Sequence, residues 1–93
     1  MKTISIITVV YNGEEVLRPT IESILHQTYS KIEYVVIDGA SKDGTMAILQ
    51  EYSSQIDILI SEPDEGIYDA MNKGLNAANG DYVLFMNAGD RIA

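Results

Sequence analysis

Ile4-Ser5-Ile6-Ile7-Thr8-Val9-Val10-Tyr11-Asn12-Gly13 is the stretch that decides the architecture. Residues 4 to 10 are rich in β-branched side chains and apolar at odd and even positions alike, so both faces of the strand must be covered, as in a parallel sheet. Tyr11-Asn12-Gly13 stops the strand. From Glu14 to about Gln27 the apolar residues Leu17, Ile21, Ile24 and Leu25 recur at helical spacing, with acidic residues at the favourable N-terminal end. Pro19 either lies in the first turn, moving the helix start towards Arg18, or kinks the helix.

The pattern continues outward from there. Ile32 to Ile37 has the same strand composition and ends at Asp38-Gly39, and Ser41-Lys42-Asp43-Gly44-Thr45 supplies cap-forming side chains before Met46, Ile48, Leu49 and Tyr52. Asp57 to Ser61 is a short third strand, Glu62 to Gly66 a loop, and Ile67, Ala70, Met71, Gly74, Leu75 and Ala78 a third amphipathic stripe. Asn79-Gly80 offers a residue suited to the left-handed conformation at the helix end, and Asp81 to Asn87 is a fourth strand. The order βαβαβαβ predicts an α/β fold, a Rossmann-like parallel sheet with right-handed crossovers, in a single domain spanning residues 1–93. Ligands of such sheets collect beyond the carboxyl ends of the strands, where the strand order reverses.

Composition narrows the function. Hydrophobic residues make up 46% of the chain, too many for a disordered acidic tail. A formal charge of −8 argues against nucleic acid and anionic lipid as partners, and an anionic ligand would need backbone dipoles or a bound cation to be received. Without cysteine there is no disulfide, thiolate metal site or thiol nucleophile, which fits a reducing compartment. The apolar run Ile4 to Val10 is far shorter than the roughly 20 residues needed to span a bilayer, and no small-residue cleavage site follows it.

Neither a P-loop nor a G-x-G-x-x-G fingerprint follows the first strand. Asp38, at a strand end, is placed either to accept a ribose hydroxyl or to serve a turn. Asn87 and Asp90 offer oxygen ligands for Mg²⁺ or Mn²⁺, although taken alone Asn87-Ala88-Gly89-Asp90 reads first as an ordinary turn. Lys73 either approaches a diphosphate or sits on the exposed face of its helix. Asp69 is balanced between site and surface, Asp43-Gly44-Thr45 reads as a helix-entry cap, and His26 as a structural residue near a helix end. Glu62, Asp64 and Glu65 either border the cleft or are simply solvated.

Taken together and in order, Ile4 to Asn12, Gln27-Thr28-Tyr29, Val36 to Thr45, Asn72-Lys73-Gly74 and Asn79-Gly80-Asp81-Tyr82 resemble the N-terminal half of family 2 glycosyltransferases. Ile67 to Gly74 is similar to the bacterial polysaccharide-synthesising branch. The resemblance implies a GT-A fold, a nucleotide-diphosphosugar donor (UDP by default), a divalent metal and inverting transfer to the hydroxyl of a saccharide or lipid-linked acceptor. Carried over by position, Thr8, Val10 and Tyr11 line the nucleotide pocket, Asp38 lies beside base and ribose, and Asp90 is the metal-binding carboxylate. Gly39 and Gly89 stand where the family often has a further Asp, the first contacting the base, the second near ribose and metal.

The general base of such a reaction would lie downstream of residue 93, so the chain is expected to be a truncated donor-binding part, inactive alone. Its last strand would leave an apolar sheet edge and favour self-association. A cytoplasmic location, at the inner face of the membrane if attached at all, accords with this. Two alternatives are a non-catalytic nucleotide-binding or regulatory module and a receiver-type signalling domain. The second fits less well, because the first strand ends in Tyr11-Asn12 instead of a paired acidic cluster and no fifth strand exists.

Overall fold

The computed structural model describes residues 2–26 and 31–88. The apolar runs read above become four strands: β1 (Ile4–Val10), β2 (Ile32–Asp38), β3 (Ile58–Ser61) and β4 (Tyr82–Phe85). The helical stripes become α1 (Glu14–Leu25), α2 (Thr45–Glu51) and α3 (Ile67–Ala77), and a single 3₁₀ turn, Ser53–Gln55, precedes β3. All pairings are parallel, in the order β3-β2-β1-β4. The chain therefore steps outward from β1 to β3, and α3 carries it back across to the other side of β1. The reversal lies between β1 and β4.

Side-chain alternation along β1 and β2 divides the core in two. Ile6, Val10, Tyr34 and Val36 pack with Leu17, Ile21 and Ile24 of α1 and Leu49 of α2. Ile7, Val9, Val35 and Ile37 face the other way and pack with Ala70 of α3. Both faces of the central strands are covered, which is why these strands read as near-continuous apolar runs.

Three sequence expectations need correction. Helix α1 begins at Glu14 with Pro19 in its interior, so the start does not move to Arg18; the carbonyl of Glu15 loses its helical donor, and the Thr20 hydroxyl donates to the Val16 carbonyl nearby. Asn79 and Gly80 do not adopt left-handed backbone, and α3 ends on an extended Ala78. Gly80 is required by space: a Cβ there would lie 2.5 Å from Ser5 Oγ and 2.8 Å from the Ser5 backbone nitrogen. Finally, β4 pairs only over Tyr82–Phe85, although the Met86 and Ala88 N–H groups still donate to Ile7 and Val9 carbonyls.

The turn between α3 and β4 is tied to the sheet by polar groups. Glu33 accepts from the Ser5 hydroxyl and the Asn79 N–H at 2.8 and 2.7 Å, and Ser5 Oγ in turn accepts the Gly80 N–H at 2.8 Å. Desolvation opposes ionisation of Glu33, but these donors outweigh it and hold its carboxyl below the usual range.

Candidate functional site

A cleft of about 490 Å³ opens beyond the carboxyl ends of β1 and β4, at the point where the strand order reverses. That volume lies within the range of small-molecule and cofactor sites. Three segments line it: Val9 to Gly13 with Val16, the loop residues Asp64 and Gly66 with Ile67 and Ala70 of α3, and Asn87-Ala88 after β4. Tyr11 is 59% exposed and presents an aromatic ring to the opening.

The wall after β1 is held by its neighbour loop. Asn12 takes left-handed backbone (φ 48°), which an Asn tolerates better than most residues. Its N–H donates to Ser41 Oγ and its side-chain oxygen accepts the Lys42 N–H, both at 2.8 Å. The Gly13 N–H donates to Thr45 Oγ1 and the Glu14 N–H to Asp43. Asp43 also accepts from the Thr45 hydroxyl and N–H, and that hydroxyl is the main cause holding its carboxyl below the usual range. The expected helix-entry residues Asp43 and Thr45 thus serve α2 and α1 together. These first N–H groups of α1 are already donated within the protein, and Glu14 and Glu15 occupy its first turn. Two committed N–H groups and two acidic side chains make this helix start a poor seat for a phosphate.

Val10 and Tyr11, two residues expected at the nucleotide pocket, lie on the cleft wall. Thr8 does not. Its side chain is fully buried in the core on the α1 face, and its hydroxyl pairs with the Tyr34 hydroxyl at 3.0 Å. Burial pushes the Tyr34 phenol up to about 12, with the Thr8 hydrogen bond acting weakly in the opposite direction.

Asp38 is also fully buried. Its carboxylate accepts the Ser41 N–H at 3.1 Å, the Ser41 hydroxyl, and the Ser61 hydroxyl at 2.8 Å. It sits on β2, one strand removed from the β1–β4 reversal, and it braces the 39–44 loop against β3 instead of facing the cleft. Asp38 itself is not among the residues that line the cleft.

Lys73 is off the wall as well. Its ammonium donates to the Pro63 carbonyl at 2.8 Å and pairs with Glu62 at 3.2 Å and Asp69 at 3.6 Å. Desolvation works against its charge, but Glu62, Asp69 and Asp64 outweigh it and keep its pKa above the ordinary lysine value. Lys73 and Asp69, whose carboxylate also accepts the Glu65 N–H at 2.9 Å, pin down the 62–66 loop.

Asn87 lies on the cleft wall, and its amide oxygen is the kind of hard donor that Mg²⁺ or Mn²⁺ accepts. Gly89 and Asp90, which follow it, lie outside the described residues, as does Gln27-Thr28-Tyr29. Among the described residues no group of three His, Cys, Asp or Glu side chains could hold a metal ion. The residue that sequence reasoning undervalued is Asp64. It is the only charged residue among the described residues lining the cleft, and nothing in a loop holding Glu62, Asp64 and Glu65 singles it out from its neighbours.

The sequence model of glycosyl transferase family 2 matches residues 5–92. The chain belongs to that family. Among relatives, this family 2 chain is 40% identical over 92 residues to the uncharacterized glycosyltransferase Rv1514c of Mycobacterium tuberculosis, covering 98% of this chain and 35% of that protein. It is 35% identical over 91 residues to the putative teichuronic acid biosynthesis glycosyltransferase TuaG of Bacillus subtilis, covering 95% and 36%. The chain thus spans little more than a third of the length of these relatives.

Among solved structures, Staphylococcus aureus TarS 1–349 superposes with a TM-score of 0.87 at 27% identity, covering 97% of this chain and 28% of that one. The same protein in complex with UDP gives 0.79 at 28% identity, covering 94% and 27%. The mannosyltransferase PcManGT of Pyrobaculum calidifontis, in complex with GDP-Man and Mn²⁺, gives 0.86 at 27% identity, covering 95% and 28%. The family 2 chain thus has the parallel α/β arrangement of GT-A glycosyltransferases.

Proposed function

We propose that this chain is the donor-binding part of a bacterial glycosyltransferase that moves a sugar from a nucleoside-diphosphate donor to an acceptor hydroxyl during cell-surface polysaccharide synthesis. The observation that carries this reading is the cleft at the β1–β4 reversal, walled by Tyr11 on one side and Asn87 on the other. The UDP and GDP-Man complexes of similar structures and the naming of TuaG for teichuronic acid biosynthesis support it. The reading places the protein in the cytoplasm, where nucleotide sugars are made. No helix among the described residues is long and apolar enough to cross a membrane.

In the reaction the acceptor hydroxyl oxygen attacks the anomeric carbon, the bond from that carbon to the diphosphate oxygen breaks with inversion, and the acceptor proton passes to a general base. Asn87 and Asp90 are the residues that would hold Mg²⁺ or Mn²⁺, which when bound supplies positive charge against the leaving diphosphate. This chain carries a formal charge of −8, and the Gly13 and Glu14 N–H groups at the start of α1 are spent on Thr45 and Asp43, so a bound cation would help it receive a diphosphate. Val10 and Tyr11 bound the cleft and exclude water from one side of the donor. Asp64 is the only carboxylate among the described lining residues, and its oxygens are engaged with the Gly66 N–H and the space at Gly39, so the 93 residues alone are proposed to bind donor without turning it over.

Calorimetric titration of UDP and GDP with and without Mn²⁺ tests the reading. Saturable binding that strengthens with Mn²⁺ is expected, and no binding of any nucleoside diphosphate would overturn it. Sugar transfer by the isolated 93 residues would contradict the proposed division of labour. Retention at the anomeric centre, read by NMR on a longer protein that carries this sequence, would contradict inversion.

A further inference from the structure

Gly39 has no left-handed backbone that would call for a glycine. What it has is an occupied neighbourhood. A Cβ at Gly39 would lie 2.8 Å from Asp64 Oδ2 and 3.4 Å from Tyr11 Cδ1. The carboxylate of the β3–α3 loop therefore fills the space a side chain at 39 would take, with the Tyr11 ring bordering the same space and both residues on the wall of the cleft. Its other oxygen is committed locally, accepting the Gly66 N–H at 3.2 Å, so Oδ2 is the oxygen turned towards Gly39.

This corner is chemically unlike the rest of the cleft. A carboxylate repels a diphosphate, so the phosphates belong elsewhere, at the Asn87 end. An aromatic ring beside a hydrogen-bond acceptor suits a planar heterocycle that stacks on the ring and donates an N–H to the carboxylate. We infer that Asp64, projecting into the space left by Gly39, accepts the ring N–H of the donor's nucleobase and thereby selects uracil or guanine over cytosine or adenine. The inference rests on reading the cleft as a nucleotide-sugar site. Its selectivity follows from bonding capacity: uracil N3 and guanine N1 carry a hydrogen, whereas cytosine N3 and adenine N1 present a lone pair that a carboxylate repels.

The test is a titration of UDP and CDP, with Mn²⁺, into the wild type and three variants. Wild type is expected to favour UDP by about tenfold or more, the consequence of burying an unpaired acceptor against a lone pair. Asp64→Asn keeps a side-chain oxygen for Gly66 but adds an N–H that can meet cytosine N3, so the preference should fall to within about threefold. Asp64→Ala should weaken UDP, and Asp64→Ala combined with Gly39→Asp should restore the UDP preference by returning a carboxylate to the same space from the other side. A purely structural role for Asp64 would lower both affinities equally and leave their ratio alone. Equal UDP and CDP affinity in wild type, or an unchanged ratio in Asp64→Asn, overturns the inference while leaving the donor site standing. Absence of all nucleotide binding in wild type overturns the donor site and the inference with it.

Discussion

Thr8→Val tests where the chain spends its buried polar groups. The Thr8 and Tyr34 hydroxyls meet at 3.0 Å between β1 and β2, with Thr8 0% and Tyr34 2% exposed. Replacing Thr8 by the isosteric Val leaves the phenol buried without its partner, at a cost of about 1–3 kcal/mol, and Tyr34→Phe strands the Thr8 hydroxyl at a similar cost. The double variant removes both polar groups and should lie within about 1 kcal/mol of wild type, so the two changes couple by roughly 1–3 kcal/mol. A chain of this size has a total stability of about 5–14 kcal/mol and loses about 1 kcal/mol per molar urea, so each single change should lower the urea midpoint by at least about 1 M. Urea unfolding followed by circular dichroism reads the effect. Because the phenol titrates near 10 when unfolded and is pushed up to about 12 in the fold, unfolding releases its proton across that window and wild-type stability should fall as pH rises from 10 to 12. Tyr34→Phe should flatten that decline. The reasoning fails if the double variant is as unstable as the sum of the singles, or if Thr8→Val weakens nucleotide binding as a cleft variant would.

Gly74→Ala should destabilise the fold by about 1–3 kcal/mol by thermal unfolding, despite a helix-propensity gain of about 1 kcal/mol, because the added methyl would sit 2.5 Å from Ile7 Cγ2; a stabilised variant would show that α3 does not press this closely on the sheet. Glu33, with its carboxyl held below the usual range, contributes stability that is present above the unfolded pKa and lost as pH falls through the folded one; Glu33→Gln should make acid unfolding below about pH 4.5 less steep, and an unchanged acid profile would remove its role in fixing the β4 turn. On β4, Tyr82, Val83 and Leu84 are 59, 40 and 46% exposed on a strand that, among the described residues, pairs only with β1, so the 93 residues alone are expected to self-associate and Leu84→Lys to disperse them in light scattering. A wild type that stays monomeric at high concentration would contradict this.

Architecture was legible to the extent that burial is two-sided. Strands β1 and β2 carry apolar residues on both faces because helices cover both, and that leaves a signal hard to mistake. The edge strands carry less. Asp57 reads as strand but acts at the strand's entry: its carboxylate accepts the Tyr34 N–H at 2.7 Å and its own N–H donates to the Tyr34 carbonyl at 3.0 Å. The 3₁₀ turn at Ser53–Gln55 has no periodicity to announce it. At Asn79-Gly80 the glycine was visible but its reason was not, because a close approach to Ser5 is a long-range fact whereas a left-handed cap would be a local one.

The site was legible by address and not by side chain. Strand ends locate the cleft, and Val10, Tyr11 and Asn87 reach it because they lie at the end of β1, just after it, and in the segment after β4, on either side of the reversal. Asp38 sits at an equally good strand end, yet one strand further away, where the loop N–H of Ser41 and the hydroxyls of Ser41 and Ser61 converge and a buried acceptor is needed. Polar residues at different strand ends thus perform different tasks, decided by which strands flank each end. The Gly39 and Asp64 pairing follows the same logic in reverse. A side chain absent from one loop leaves a volume, a carboxylate from another loop enters it, and neither residue taken alone carries a sign of the other.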